Sequence, residues 1–194
     1  TLWVIGSYHN IYRVGSIMMD IGFWTLNDII WIKQNPTPHM KGVRFCNSTE
    51  TLIWAARSRD DRKYSFPYRH LKAGNEDKQM RTDWYIPVCQ GKQRLTDADG
   101  KVHSTQKPEA LLHRVIVSST ERGDTVLDPF CGSGTTAVVA KRLGRNFITS
   151  DQEPRYVEAA RYRIEATQVL PEDSVGVLLD GPPPRVAFNT LVES

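Results

Sequence analysis

The chain has 194 residues, of which 40% are hydrophobic and 24% are charged, and its formal net charge is +3. These values indicate one globular domain with a hydrophobic core and room for an appendage. No apolar run approaches the ~20 residues of a membrane-spanning helix and no signal peptide is recognisable, so we expect a cytoplasmic protein without membrane contact. The three cysteines and five histidines lack metal-ligand spacing, which predicts reduced thiols and no metal site.

The first 57 residues carry the predicted elements of one half of an α/β domain. Apolar runs with β-branched residues predict strands at 2–5, 26–32 and 51–55. Helical spacing after the first strand predicts a core-facing helix side made of Ile11, Val14, Met18 and Ile21. The segment 35–38 predicts a loop, because its two prolines fix φ and lack the N–H donor.

Residues 57–100 show little periodicity and concentrate positive charge. Ten Lys or Arg and five Asp or Glu lie between positions 57 and 94, a local net charge of +5. Such a concentration is typical of a surface that binds phosphates. The run 63–69 interleaves cations with aromatics, which suits stacking on bases of an opened nucleic-acid strand, packing of the aromatics on the domain body, or both. We therefore predict an inserted, irregular and basic region with a phosphate-binding surface.

The most informative segment is 125–151, which predicts a strand, a glycine-rich turn, a helix, a second strand and an acidic residue. The turn Gly132-Ser133-Gly134 is tight, since glycine accepts positive φ. Asp151 follows the second strand. This layout is typical of a nucleoside-binding βαβ unit, whose amides face the ligand and whose acidic residue accepts hydrogen bonds from ribose hydroxyls. Further helices are predicted on either side, at 109–120 and from Pro154 onwards.

The identity of the nucleoside is decided by the residues that flank the turn. Residues 132–137 satisfy G-x-G-x-x-G/A, a pattern that on its own also permits a dinucleotide-binding oxidoreductase. Asp128 ends the first strand, where a carboxylate suits a cationic amino group better than a phosphate. S-adenosylmethionine carries an amino group, a sulfonium and a ribose but no phosphate, and it is therefore the predicted cofactor.

The motif at 128–136 (DPFCGSGTT) and the block at 103–108 (HSTQKP) resemble the two cofactor segments of DNA amino-methyltransferases, which methylate adenine N6 or cytosine N4. The order of the blocks resembles the permuted subclass, in which the catalytic half precedes the cofactor half. The implied fold is a doubly wound, mostly parallel, Rossmann-like methyltransferase sheet with an irregular basic insert. The resemblance implies that the cofactor is surrounded by Thr105, Lys107, Asp128, Phe130, Gly132, Ser133, Gly134, Thr135 and Asp151.

Residues 2–57, 80–84 and 185–192 are more closely similar to the cell-cycle-regulated adenine methyltransferases of the CcrM type, including HinfI-like enzymes. That resemblance implies methylation of adenine N6 in double-stranded DNA at GANTC-type sites, by base flipping and direct methyl transfer. It also implies a bacterial cytoplasmic protein that associates with the nucleoid through DNA, and relatives suggest a homodimer. Asp151 stands where relatives often have Glu, a conservative difference.

The predicted organisation has four parts. Residues 1–56 and 101–168 form the methyltransferase domain, 57–100 the DNA-recognition insert, 169–184 a linker, and 185–194 the start of a C-terminal DNA-binding domain. The 194 residues contain no Asp/Asn/Ser-Pro-Pro-aromatic tetrapeptide, which in this subclass orients the target amino group. We expect that motif upstream of Thr1, and we expect the chain alone to be inactive.

The predicted DNA contacts are polar or aromatic residues of the loop after the second strand and of the basic insert. Each loop residue could equally be an ordinary solvated side chain. The candidates are Asn35, Lys41, Arg44, Asn47, Lys63, Tyr64, Tyr68, Arg69, Lys72 and Arg81. Two alternatives remain open: an N4-cytosine DNA methyltransferase, and a non-catalytic module that binds cofactor or DNA.

Overall fold

The structure is a computed structural model that describes residues 1–61, 63–90, 94–97, 100–101 and 105–171. His103 and Ser104 of the predicted cofactor block, the predicted linker beyond residue 171 and the predicted C-terminal start at 185–194 lie outside the described residues. The elements are, in chain order, β1 (Leu2–Gly6), α1 (Ile11–Asp20), β2 (Trp24–Lys33), β3 (Thr49–Ala56), α2 (Tyr68–Ala73), β4 (Asp83–Ile86), β5 (Thr96–Asp97), β6 (Gly100–Lys101), α3 (Glu109–Ser119), β7 (Thr125–Asp128), α4 (Thr135–Arg142), β8 (Asn146–Thr149) and α5 (Pro154–Ala166).

The largest sheet has four strands in the order β1-β3-β2-β4. β3 runs antiparallel to both of its neighbours, whereas β4 runs parallel to β2. β7 and β8 form a separate parallel pair, and β5 and β6 a short antiparallel pair. The α/β class is confirmed. The sheet is mixed rather than mostly parallel over the described residues, because β3 returns between β1 and β2 without a crossover helix.

The predicted irregular insert contributes one strand to the main sheet. β4 pairs with the second half of β2, from Ile30 opposite Asp83 to Lys33 opposite Ile86. Trp84 and Ile86 are buried in the main core, and Leu71 of α2 is buried with them. The segment 57–100 is therefore anchored in the core through β4 and α2, and the described residues between these elements are loops and turns.

The main core lies between the four-stranded sheet and the helices α3 and α4. Trp31, Leu52 and Trp54 contribute from the sheet, and Val139 and Leu143 from α4 and its end. The helix predicted at 109–120 is α3, and it buries Leu111, Leu112, Val115 and Ile116. In the described part of the chain, no helix combines the length and the apolarity that crossing a bilayer requires.

Candidate functional site

The glycine-rich turn lies at the end of two parallel strands. Asp128 of β7 is paired with Thr149 of β8, so the chain leaves both strands at the same edge. Gly132 and Gly134 have φ values of +49° and +77°, which only glycine adopts readily. The turn leads directly into α4, whose first residue is Thr135. The predicted strand, turn, helix and strand are all present.

Asp151 lies beside this turn, as its place after β8 predicts. Its Oδ2 accepts a hydrogen bond from the backbone N of Gly132 at 2.8 Å, and its Oδ1 accepts one from the backbone N of Glu153 at 3.0 Å. These two bonds fix the carboxylate at the strand edge between the turn and α5. Because a carboxylate offers about four acceptor positions, it can still accept bonds from a ligand.

Asp128 and Phe130 form the entrance to the turn. Oδ1 of Asp128 accepts a hydrogen bond from the backbone N of Phe130 at 3.0 Å, and Phe130 is 86% exposed. Cys131 is buried, and its burial together with the nearby Asp128 raises the pKa of the thiol. A raised pKa disfavours the thiolate, so Cys131 is not suited to be a nucleophile.

The inner side of the turn is held by an arginine that the sequence did not single out. Ser133, Gly134 and Thr135 are buried. Arg163 of α5 donates through Nη1 to the carbonyl oxygen of Ser133 at 2.7 Å and to Oγ1 of Thr135 at 3.2 Å. Two predicted cofactor residues, Ser133 and Thr135, therefore use these oxygen atoms to bind Arg163 in the protein interior.

Lys107, from the other predicted cofactor segment, lies in a partly buried ion cluster. Its Nζ donates to Oε2 of Glu50 at 2.8 Å, while Nζ of Lys33 lies 3.0 Å from Oε1. Both ammonium groups also lie over the Trp31 ring. Burial acts to raise the pKa of Glu50, but the charges and hydrogen bonds of Lys107 and Lys33 outweigh it, so this pKa lies below its ordinary value. Thr105, two residues before Lys107, is exposed.

Glu50 and Lys33 were missed because their roles depend on β2 and β3 being neighbours. Residue 33 ends β2 and residue 50 lies near the start of β3. Both residues lie one position outside the predicted strands at 26–32 and 51–55, and a sequence pattern identifies no cross-strand partner. The cluster joins the segment at 105–108 to the base of the loop at 34–48.

That loop contains four of the ten predicted DNA contacts and presents three of them to solvent. Lys41, Arg44 and Asn47 are exposed, and Nε of Arg44 donates to Nε2 of His39 at 3.0 Å. Asn35 is different, because its Oδ1 accepts a hydrogen bond from the backbone N of Val88 at 2.8 Å. This bond fastens the base of the loop to the segment after β4.

The aromatic run at 63–69 packs partly on the body of the domain. The Tyr64 ring meets Trp54 edge-on at 5.7 Å between centroids, and the Phe66 ring lies 5.3 Å from the same side chain. Packing on the domain body, the alternative left open by the sequence, is thus observed for these two rings. Lys63, Tyr68 and Arg69 are exposed.

Two further predicted phosphate contacts have acidic neighbours. Nζ of Lys72 lies 3.3 Å from Oδ1 of Asp77, and Arg81 makes two hydrogen bonds with Asp83, at 2.8 and 3.0 Å. The positive charges of Lys72 and Arg81 are therefore partly compensated. By contrast, the sequence of the 34–48 loop contains no acidic residue that could compensate its cations.

Parallel strands, a glycine-rich turn and an acidic residue at the second strand end together define an α/β protein with the architecture of nucleoside-binding enzymes. Residues 1–162 match the family model for N6 and N4 methyltransferases, described as DNA methylase. The chain belongs to this family.

Curated relatives share close to half of the residues. The chain is 47% identical over 195 residues to the type II methyltransferase M.HinfI of Haemophilus influenzae, covering 100% of the chain and 54% of that protein. It is 46% identical over 166 residues to the type II methyltransferase M2.DpnII of Streptococcus pneumoniae, covering 86% of the chain and 60% of that protein. The chain thus spans little more than half the length of these relatives.

Two solved structures of other proteins have a similar fold. The complex of M1.HpyAVI with SAM superposes with a TM-score of 0.68 at 29% identity, covering 84% of the chain and 72% of that structure. The cytosine-N4-specific PvuII DNA methyltransferase also superposes with a TM-score of 0.68, at 22% identity, covering 92% of the chain and 68% of that structure. The latter likeness supports the fold alone.

Proposed function

We propose that this chain is the cofactor-binding part of a DNA methyltransferase that transfers a methyl group from S-adenosylmethionine to adenine N6 in double-stranded DNA at GANTC-type sites. The observation that carries the proposal is the position of the Asp151 carboxylate, 2.8 Å from the backbone N of Gly132 at the edge where β7 and β8 end. In α/β sheets, ligands bind at the carboxyl ends of the strands, where an acidic residue accepts bonds from ribose hydroxyls.

The residues around the turn fit S-adenosylmethionine better than a dinucleotide. Two carboxylates lie at the ends of the parallel strands: Asp128 is the last residue of β7, and Asp151 lies two residues after β8. The turn lies between them in the chain. A pyrophosphate would meet unfavourable charge beside Asp128, whereas an ammonium or a sulfonium would meet favourable charge. The structural relative M1.HpyAVI forms a complex with SAM, which supports the same cofactor here.

In this proposal three residues of the cofactor site have defined tasks. Asp151 accepts hydrogen bonds from the ribose hydroxyls, Asp128 attracts the ammonium group, and the exposed Phe130 ring covers part of the ligand. Thr105, Lys107, Gly132, Ser133, Gly134 and Thr135 complete the proposed cofactor set. S-adenosylmethionine supplies an electrophilic methyl group, and binding energy is used to orient it toward the target amine.

The proposed DNA-binding set consists of the loop and insert residues. Exposed cations such as Lys41, Arg44, Lys63 and Arg69 would neutralise phosphates, and Tyr68 would stack on a base. Asn35, Asn47, Tyr64, Lys72 and Arg81 complete the set. The two type II methyltransferases that share 47% and 46% identity support DNA as the substrate.

We also propose the division into a methyltransferase domain (1–56 and 101–168), a recognition insert (57–100), a linker (169–184) and the start of a further DNA-binding domain (185–194). The resemblance to CcrM-type enzymes supports a homodimer in the bacterial cytoplasm, associated with the nucleoid through DNA. N4-cytosine methylation is the second candidate function, because the family model includes N4 methylases.

The proposal is tested by two measurements on the 194-residue chain. Calorimetric titration should give binding of S-adenosylmethionine and none of NAD; the reverse result would support an oxidoreductase. With the cofactor bound, a duplex carrying 2-aminopurine at the target adenine of GANTC should gain fluorescence as the base leaves the stack. A gain only from a duplex that carries a fluorescent cytosine analogue at the cytosine of GANTC would support the N4 alternative.

A further inference from the structure

The two proposed cofactor segments are joined by one side chain from a third element. Arg163 of α5 donates to the carbonyl oxygen of Ser133 at 2.7 Å through Nη1 and to Oε1 of Glu109 at 3.0 Å through Nη2. Glu109 is the first residue of α3 and follows Lys107-Pro108 directly. A single guanidinium therefore spans the glycine-rich turn and the end of the 105–108 segment.

The surroundings of Arg163 favour a rigid connection. Its side chain is only 12% exposed, and Ser133 and Thr135 are 2% and 4% exposed. Hydrogen bonds that carry a charge gain strength where water is excluded. Arg142 of α4 also donates to Glu109, so the carboxylate has an arginine on each of its oxygens. The position of the turn relative to α3 is thus set by charged groups as well as by packing.

Only an arginine can make these contacts together. The guanidinium is a planar fork with five N–H donors, whereas a lysine offers a compact ammonium that acts as a point charge. Lysine at position 163 could retain the ion pair with Glu109, but it could not reach the Ser133 carbonyl in the same geometry. Arg163→Lys keeps the positive charge without the planar guanidinium, and Arg163→Met removes both. Comparing the two variants therefore separates the effect of the charge from the effect of the hydrogen-bond geometry.

We propose that Arg163 is a positioning residue for the cofactor site, which holds the glycine-rich turn and the 105–108 segment at the spacing that S-adenosylmethionine requires. The inference rests on the proposed function. Arg163 lies under the turn and does not touch the ligand in this proposal. Its effect on affinity passes through the orientation of the Gly132 amide and of the Lys107 segment.

The test compares Arg163→Met, Arg163→Lys and a control, Arg13→Met, which removes an exposed arginine from α1. Calorimetry below the melting temperature of each variant measures the Kd of S-adenosylmethionine for the folded chain. We expect Arg163→Met to weaken binding about tenfold, the scale of one lost charge-assisted hydrogen bond. Arg163→Lys should recover thermal stability but not affinity, and Arg13→Met should match the parent.

Amide hydrogen exchange without cofactor provides the second readout. The segments at 105–112 and 131–138 should exchange faster in Arg163→Met than in the parent, because the connection between them is lost. Glu109→Gln, which keeps the contact with Ser133, should weaken binding less than Arg163→Met. If Arg163→Met fails to fold, the Kd of Glu109→Gln is compared with that of the parent instead.

Two outcomes overturn the inference. One is a parental Kd in Arg163→Met, which together with a lowered melting temperature would mean a merely structural role. The other is parental exchange in both segments. If the parent itself fails to bind S-adenosylmethionine, the proposed function is wrong and the cofactor role of Arg163 falls with it, whereas exchange still reports whether the connection exists.

Discussion

Gly134 and Ala160 are in direct contact where the start of α4 meets the middle of α5. A Cβ atom placed on Gly134 would lie 2.6 Å from Cβ of Ala160 and 2.9 Å from its Cα. The backbone of Gly134 also has a φ of +77°. Both observations require glycine at this position, and they bring α5, which carries Arg163, close to the turn.

Gly134→Ala should lower the free energy of unfolding by about 2–4 kcal/mol, because it combines a left-handed backbone with an overpacked contact. Urea unfolding followed by circular dichroism measures the change. Gly22→Ala is the matched control, since Gly22 has a φ of +95° but no atom within 4 Å of the added Cβ. The control should cost only about 1 kcal/mol. Equal losses at both positions would contradict the role of the Ala160 contact.

The ion cluster around Glu50 predicts a pH-dependent contribution to stability. Removing one partner of a buried pair leaves the remaining charges uncompensated. At pH 7, Glu50→Gln should therefore lower the free energy of unfolding by about 2–3 kcal/mol, at or below the lower end of the range for buried pairs because the amide retains an acceptor. Glu76→Gln, in a pair whose side chains are more than half exposed, should change it by less than about 0.5 kcal/mol.

The sign of the pH effect follows from the lowered pKa of Glu50. A carboxyl whose pKa is lower in the folded state contributes fully above its unfolded pKa, which is about 4.3 for Glu, and loses the contribution as the pH falls through the folded pKa. The stability difference between the parent and Glu50→Gln should thus be constant from pH 7 to about 5 and should shrink below about 4.3. A difference that grows on acidification would contradict this assignment.

Asp151 provides the direct test of the proposed ribose contact. Asp151→Asn keeps the acceptor for the Gly132 amide but removes the charge, so the affinity for S-adenosylmethionine should fall about tenfold or more. Asp124→Asn is the control, because Oδ2 of Asp124 likewise accepts from a backbone N, that of Glu121 at 2.8 Å, just before β7 begins. Calorimetry should give parental affinity for the control. The same result for Asp151→Asn would remove the residue from the site.

The segment from β7 to Asp151 could be predicted from the sequence because the residues that determine its structure are close together in the chain. The glycines of the turn, the helical spacing of α4 and the position of the acidic residue all lie within 27 residues. The predicted strand at 125–128 and the predicted helix start at Pro154 agree with the observed bounds. Local propensity and tertiary packing point to the same structure here.

β4 and the partly buried ion cluster could not be predicted in the same way. β4 has only four residues, and its place is fixed by pairing with β2, which lies about fifty positions earlier. Lys107 is 57 residues from Glu50, and Arg163 is 54 residues from Glu109. From the sequence alone, charged residues on predicted elements are interpreted as solvent-exposed, because their ion-pair partners are distant in the chain. Whether Tyr64 packs on the domain body likewise depended on the position of Trp54, which is ten residues away in the chain.

Lys41 offers the sharpest test of the proposed DNA surface. It is exposed in a loop without acidic residues, whereas Arg81 is held by two hydrogen bonds from its guanidinium to Asp83. If Lys41 contacts a phosphate, Lys41→Ala should reduce the slope of log K against log salt by about 0.9. Fluorescence anisotropy with a labelled duplex measures that slope. Arg81→Ala should reduce it less, and Arg13→Ala on α1 should leave it unchanged.

Because phosphate contacts carry no sequence information, Lys41→Ala should weaken binding equally for a GANTC duplex and for an unrelated one. A loss confined to GANTC would assign Lys41 to base recognition instead.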